Sequence, residues 1–169
     1  NWIFSDSTSG GRVAVEVARA SGEVDGVRLA KEAYYACAAM FLSEPRVHII
    51  GHWTYPDGTK KPMFVISNAE DVELFVNNRS VGHGKVSNHY LFSFPEIPWE
   101  AGEIKAVAST KGKVVATQVK HSAGLAVALK MTPIAGPDGW RADGSDVILV
   151  DVEAVDAKGE RAPTFQQRV

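Results

Sequence analysis

Four carboxylates near the start of this 169-residue chain are of the type that glycoside and metal chemistry need: Asp6, Glu16, Glu23 and Asp25. Asp6 stands out by position, because it closely follows the apolar stretch Trp2-Ile3-Phe4. The end of such a strand is where α/β barrels keep functional residues. Yet an Asp flanked by Ser5 and Ser7 is also an ordinary turn former or helix cap, and that plainer role is the more frequent one. Glu16, Glu23 and Asp25 read as solvated or ion-paired surface groups. Among the histidines, His48 and His52 lie four apart, a spacing that would put two metal ligands on one face of a helix. On a strand the same spacing separates them by about 13 Å, too far to share an ion. His83, His89 and His121 have no acidic or thiol partner at ligand spacing and read as loop or strand-end residues.

The remaining chemical signals are weaker. Cys37 is the single cysteine, so an internal disulfide and a multi-Cys zinc site are excluded, and its place in mid-helix argues against a nucleophile. Residues 138–146 are acidic and Gly-rich but lack the spacing of a calcium loop, so they read as two turns before a strand. Trp53 and Tyr55 alternate along a strand and could stack on a sugar ring, although packing into a core is the commoner fate of such a pair. No nucleophile elbow, phosphate loop or dinucleotide fingerprint occurs, and neither a metal nor any other cofactor is expected.

The elements that must position these residues follow from composition and periodicity. Hydrophobic residues make up 45% and charged residues 22%, the profile of a globular chain, and a net charge of −2 gives no general pull on nucleic acid or anionic lipid. No stretch approaches the ~20 apolar residues of a membrane helix, so neither nucleic acid nor membrane is expected as a partner. Residues 1–45 read as a strand at Trp2–Phe4, a polar loop, and one amphipathic helix from Leu29 to Leu42 with Ala30, Ala33, Tyr34, Cys37, Ala38 and Phe41 on its apolar face. That order suits the last βα unit of a larger α/β structure.

From residue 46 to 123 the period changes to two, with strands expected at Val47–Thr54, Met63–Ser67, Val72–Val76, Arg79–Val86, Tyr90–Phe94, Glu103–Ser109 and Val114–Lys120. Seven short strands are an immunoglobulin-like count. Asn77-Asn78 and Lys111-Gly112 read as tight hairpin turns, because Asn and Gly tolerate the positive φ these turns demand. Residues 124–169 hold two further strands, Val127–Met131 and Val147–Val155, too few for a second complete sandwich. The fold class expected is therefore mainly β: an immunoglobulin-like sandwich, preceded by a βα unit and followed by a partial second immunoglobulin-like domain. With no initiator Met at Asn1 and no terminal cap after Pro163, the chain reads as a fragment of something longer.

Several stretches resemble glycoside hydrolase family 2, the β-galactosidase and β-glucuronidase group. Trp2-Ile3-Phe4-Ser5-Asp6-Ser7 is similar to the family's last (β/α)8 TIM-barrel strand, and residues 21–35, ending Lys31-Glu32-Ala33-Tyr34-Tyr35, to the passage into its last barrel helix, with Ala30 where Pro is common. Val47-His48-Ile49-Ile50-Gly51-His52-Trp53 and residues 67–82 resemble the sandwich that follows the barrel, with Asn78 where Gly is usual. The close of the chain is similar to the opening of the next immunoglobulin-like domain.

The resemblance implies the C-terminal part of a retaining β-glycosidase, β-galactosidase-like, in which one Glu protonates the leaving oxygen and a second attacks the anomeric carbon. Both lie on earlier barrel strands in that family, so the chain alone is expected to be inactive. It also implies that Trp2 forms an aromatic wall at the sugar site, with Asp6 and Arg12 as weaker candidates for contacts with substrate hydroxyls or a carboxylate. The expected partners are a carbohydrate substrate and the rest of the barrel, and the compartment, by analogy with exported bacterial members, is periplasmic or secreted. Severed from its barrel, the helix would expose its apolar face, so the isolated chain should associate into homo-oligomers or leave residues 1–45 poorly ordered. The competing reading is a non-enzymatic carbohydrate-binding or adhesive module that uses Trp53 and Tyr55.

Overall fold

A computed structural model describes residues 4–6, 21–137 and 139–167. Trp2, Arg12 and Glu16 lie outside the described residues. Eight strands between Val47 and His121 form two four-stranded antiparallel sheets. One has the order β1 (Val47–Ile49), β2 (Lys60–Ser67), β6 (Leu91–Pro98), β5 (Lys85–Ser87). The other runs β4 (Arg79–His83), β3 (Asp71–Val76), β7 (Glu103–Thr110), β8 (Lys113–His121). Alternation along β3 buries Val72, Leu74 and Val76, and along β7 it buries Ile104, Ala106 and Ala108. These side chains meet Met63, Val65, Phe92 and Phe94 from the facing sheet, which makes one apolar core. The mainly β fold class expected from the periodicity is what the chain adopts.

The strand count differs from seven because the segment read as Arg79–Val86 serves both sheets. β4 pairs with β3, the chain crosses the edge of the sandwich at Gly84, and β5 pairs with β6. Gly84 donates its N–H to the Val72 carbonyl at 2.9 Å. A Cβ at Gly84 would lie 2.7 Å from Phe94 Cζ and 2.8 Å from Phe92 Cβ, so the crossing passes directly over the core aromatics. The first expected strand, Val47–Thr54, stops at Ile49, because Gly51 has φ +80° and turns the chain into a loop. Both hairpin turns form as expected: Asn77 and Asn78 have φ of 47° and 62°, and Lys111 and Gly112 have 51° and 72°.

Helix α1 spans Glu32–Phe41, three residues later at its start than Leu29. Asp25 accounts for the delay: Oδ1 accepts the N–H groups of Val27 and Leu29 at 2.9 and 2.8 Å, and Arg28 has φ 72°. Those bonds close a turn, after which Ala30 bridges to Val24 in extended conformation. Of the apolar face read from the spacing, Ala38 is buried, with Ala39 beside it, and Cys37 is half-buried, while Ala33, Tyr34 and Phe41 are exposed, Phe41 at 77%. Polar contacts of Glu32 and Tyr35 join the same helix to His48.

Beyond the sandwich, β9 (Ala128–Ile134) and β10 (Leu149–Val155) pair with each other from Leu149↔Ile134 to Val155↔Ala128. This ribbon is tied back through Asp156, whose Oδ2 accepts the Gly124 N–H at 2.8 Å and whose Oδ1 accepts those of Lys158 and Glu160 at 2.8 and 3.0 Å. These amide donors, Gly124 first, hold its carboxyl below the usual range.

Candidate functional site

Asp6, read from the sequence as a strand-end carboxylate, sits in a small backbone knot. Phe4 offers its carbonyl to the N–H groups of Glu23 and Val24, both at 3.0 Å, and Asp6 N–H returns to the Val24 carbonyl at 3.0 Å. Ser5 and Val24 thereby form a parallel bridge, and Lys31 N–H, 3.0 Å from the Glu23 carbonyl, ties the residue preceding α1 to the same segment. Gly22 is required by contact: a Cβ there would lie 2.2 Å from the Ser5 carbonyl carbon. This packing aims the Gly22 N–H at Asp6 Oδ1, 2.8 Å away, and Lys31 Nζ donates to the same oxygen at 2.9 Å. The Asp6 side chain is 13% exposed. Lys31, with help from the Gly22 amide, holds the carboxyl below its usual range, so it is an anion at neutral pH.

Asp6 thus has a cationic partner at this knot, Lys31. Glu23 is half-buried rather than simply solvated, and its Oε1 accepts from Cys37 Sγ at 3.0 Å. Asp25 is committed to the turn described above. Trp2 and Arg12, the other two residues assigned to a sugar site, lie outside the described residues.

A second polar cluster, not anticipated from the sequence, joins the helix to the sandwich. Glu32 Oε2 lies 2.6 Å from His48 Nε2, and its Oε1 accepts the Gly51 N–H at 2.9 Å. Tyr35 stacks on the imidazole with centroids 3.6 Å apart and planes 2° from parallel. From β8, Gln118 Oε1 accepts the Ile49 N–H at 2.5 Å, and Lys120 Nζ donates to the carbonyls of Ile49 and Gly51, each at 2.6 Å. Burial pushes both His48 and Lys120 below their ordinary values, with Glu32 opposing the shift in each.

Two further histidines, His83 and His121, find acidic partners through the fold rather than along the sequence. His83 Nδ1 is 2.8 Å from Asp71 Oδ2, and His121 Nδ1 is 3.1 Å from Glu160 Oε1. Sequence spacing could not reveal these pairs, since strand register and the fold of the terminal loop create them. No group of three metal-ligating side chains occurs among the described residues. Trp53 is 1% exposed, inside the core, with Nε1 donating to the Glu100 carbonyl at 3.1 Å. Tyr55, in the same loop rather than on a strand, packs edge-on against it, its hydroxyl accepting from Lys61 Nζ at 2.8 Å. Asp143 closes a turn by accepting the N–H groups of Ser145 and Asp146 at 2.9 Å each.

Residues 58–116 match a family described as a domain of unknown function, DUF4982. The chain is 54% identical over 170 residues to a β-glucuronidase of Formosa agariphila, covering all of this chain and 17% of that protein. It is 33% identical over 143 residues to the β-galactosidase BoGH2A of Bacteroides ovatus, covering 84% of this chain and 17% of that one. The solved structure of a β-glucuronidase from glycoside hydrolase family 2 superposes with a TM-score of 0.88 at 54% identity, over 98% of this chain and 17% of the other. The chain belongs to glycoside hydrolase family 2, matching a C-terminal part of such enzymes. It spans 17% of the length of the curated relatives named here.

Proposed function

We propose that this chain is the C-terminal part of a retaining β-glycosidase that acts in carbohydrate degradation, with a β-glucuronide as the first substrate to test and a β-galactoside as the second. The observation that carries the reading is the 54% identity that runs through the strand–loop–helix unit, the sandwich and the final ribbon alike. In this reading residues 1–45 close the catalytic barrel, residues 46–123 are the immunoglobulin-like sandwich behind it, and residues 124–169 open a second such domain. The acid and nucleophile Glu residues lie outside these 169 residues, so the chain alone turns over no substrate. Trp2 walls the sugar site, and Asp6 and Arg12 contact sugar hydroxyls or a carboxylate.

The rest of the barrel covers the apolar side chains that α1 leaves open, among them Phe41 at 77% and Met40 at 44% exposure. Without that cover the isolated chain associates into oligomers or fails to order residues 1–45, a choice that light scattering and hydrogen exchange distinguish. Export to the periplasm or medium fits a polysaccharide-degrading role. A free-standing glycan-binding module finds less support, since burial of Trp53 removes the stacking face that it needed.

The test is hydrolysis of a panel of 4-nitrophenyl β-glycosides by the full-length protein, with the anomer of the first product read by NMR. Release from the glucuronide with a β-configured product supports the reading. Absence of turnover across the panel, or an inverted product, defeats it.

A further inference from the structure

Asp6 binds asymmetrically, and that asymmetry assigns a role to a residue outside the sugar site named above. Its Oδ1 receives two donors, Gly22 N–H at 2.8 Å and Lys31 Nζ at 2.9 Å, while no described residue donates to Oδ2. A carboxylate that is only 13% exposed and has one oxygen doubly held cannot swing: the two bonds fix its plane. The second oxygen then faces whatever approaches the strand end. Oδ2 is not one of the buried side-chain atoms left without a partner, so it stays open to a donor, and a sugar hydroxyl is such a donor.

Lys31 is itself anchored at both ends. Its backbone N–H bonds to the Glu23 carbonyl at 3.0 Å, and it occupies the position before Glu32 with extended φ and ψ of −98° and 173°. It makes no side-chain cap of the helix, so its ammonium is directed to the strand end instead. Lys31 therefore couples the start of α1 to the orientation of Asp6.

We propose that Lys31 is a positioning residue of the glycosidase site, holding Asp6 so that Oδ2 accepts a hydrogen bond from a substrate hydroxyl. This rests on the glycosidase reading and deepens it. A carboxylate misplaced by about 1 Å loses on the order of 100-fold in rate when its bond strengthens in the transition state. Lys31→Met in the full-length enzyme should therefore lower kcat roughly 10- to 100-fold on the best β-glycoside, with KM changed by less than about threefold.

Three controls separate positioning from mere support of the fold. Lys31→Arg, which keeps an N–H donor for Oδ1, should recover most of kcat. Asp6→Asn should cost about as much as Lys31→Met, and the double variant should be no worse than either single one, because both act through one contact. Melting temperatures of Lys31→Met and wild type should agree within a few degrees. A wild-type enzyme that is active while Lys31→Met retains its kcat overturns the proposal and leaves the glycosidase reading standing. A loss that tracks a collapsed melting temperature and is not recovered by arginine also overturns it, in favour of a structural role. A wild-type protein inactive on every β-glycoside overturns both.

Discussion

The sandwich and the β9–β10 ribbon share the same sequence habit and have opposite fates. Both alternate apolar and polar residues, yet Val72, Leu74 and Ile104 are fully buried whereas Leu129, Met131 and Val152 are 44%, 70% and 51% exposed. Alternation specifies which side chains share a face of a strand; burial depends on whether a second sheet lies against that face. In the sandwich the crossing at Gly84 lets one chain segment feed both sheets, so the two faces close on each other. The ribbon has two strands and no facing layer among the described residues, and two strands alone are at best marginally stable in water. Its order comes from polar anchors at its base, above all Asp156.

If burial rather than alternation is what separates the two regions, substitutions should divide accordingly. The largest effect is expected for Trp53→Ala, which empties the core beneath both sheets and should cost about 3–5 kcal/mol. Denaturant unfolding followed by far-ultraviolet circular dichroism would measure it, and a loss below about 1 kcal/mol would mean that the core is looser than its exposures state. Gly84→Ala comes next at about 1–3 kcal/mol, because the added methyl meets the rings of Phe92 and Phe94 rather than a mobile side-chain tip. Calorimetry should show the drop with no change in the secondary structure of the native state.

Glu32→Ala probes the junction instead of the core. Removing the acceptor of Gly51 N–H and the partner of His48 should cost about 1–2 kcal/mol, concentrated in the helix. Hydrogen exchange should quicken at α1 amides and leave β3 and β7 unchanged; uniform quickening would contradict a local role.

The same junction predicts a pH dependence. His48 has its folded value pushed below 6.5 by burial, against the pull of Glu32 and with a small push from Lys120. Above about pH 6.5 it is neutral in both states and its contribution is intact. As pH falls below that, the unfolded chain takes up the proton first, so stability declines until the folded value is passed. The melting temperature should therefore fall between pH 7 and 5, and a His48→Gln variant should show a shallower decline. The smallest effect belongs to the ribbon, where Met131→Ala should change stability by less than about 0.5 kcal/mol. A larger loss would show that a further layer covers this face in solution.

Much of the sandwich is legible in the amino-acid sequence, for a local reason. Alternating apolar residues and the paired turn residues Asn77-Asn78 and Lys111-Gly112 act over two to eight positions, and the hairpins they predict are the hairpins that form. The helix is legible as a helix, but periodicity marks apolar residues without stating which of them meets a neighbour. Phe41 and Ala38 belong to the same predicted face, yet Phe41 stays in solvent and Ala38 is buried, while Glu32 and Tyr35 add polar and stacking contacts that the spacing does not announce. The split of the segment 79–86 is hidden because β4 and β5 look like one strand until Phe92 and Phe94 arrive beneath Gly84.

The candidate site divides the same way. Asp6 is visible because it closely follows an apolar stretch, but its partners are 16 and 25 residues away, and nothing in the local sequence pairs it with Gly22 or Lys31. The histidine partners Glu32, Asp71 and Glu160 are equally out of reach, since each is set by packing or by strand register. Motif spacing along the chain, together with the family resemblance it carries, determined by itself that this is a β-rich part of a glycoside hydrolase family 2 protein. Only the tertiary structure decided which carboxylate is held by a lysine, which tryptophan is sealed in the core, and which apolar faces remain open. The physical reason is that hydrogen bonds and burial act over a few ångströms of space, and distance along the chain does not report them.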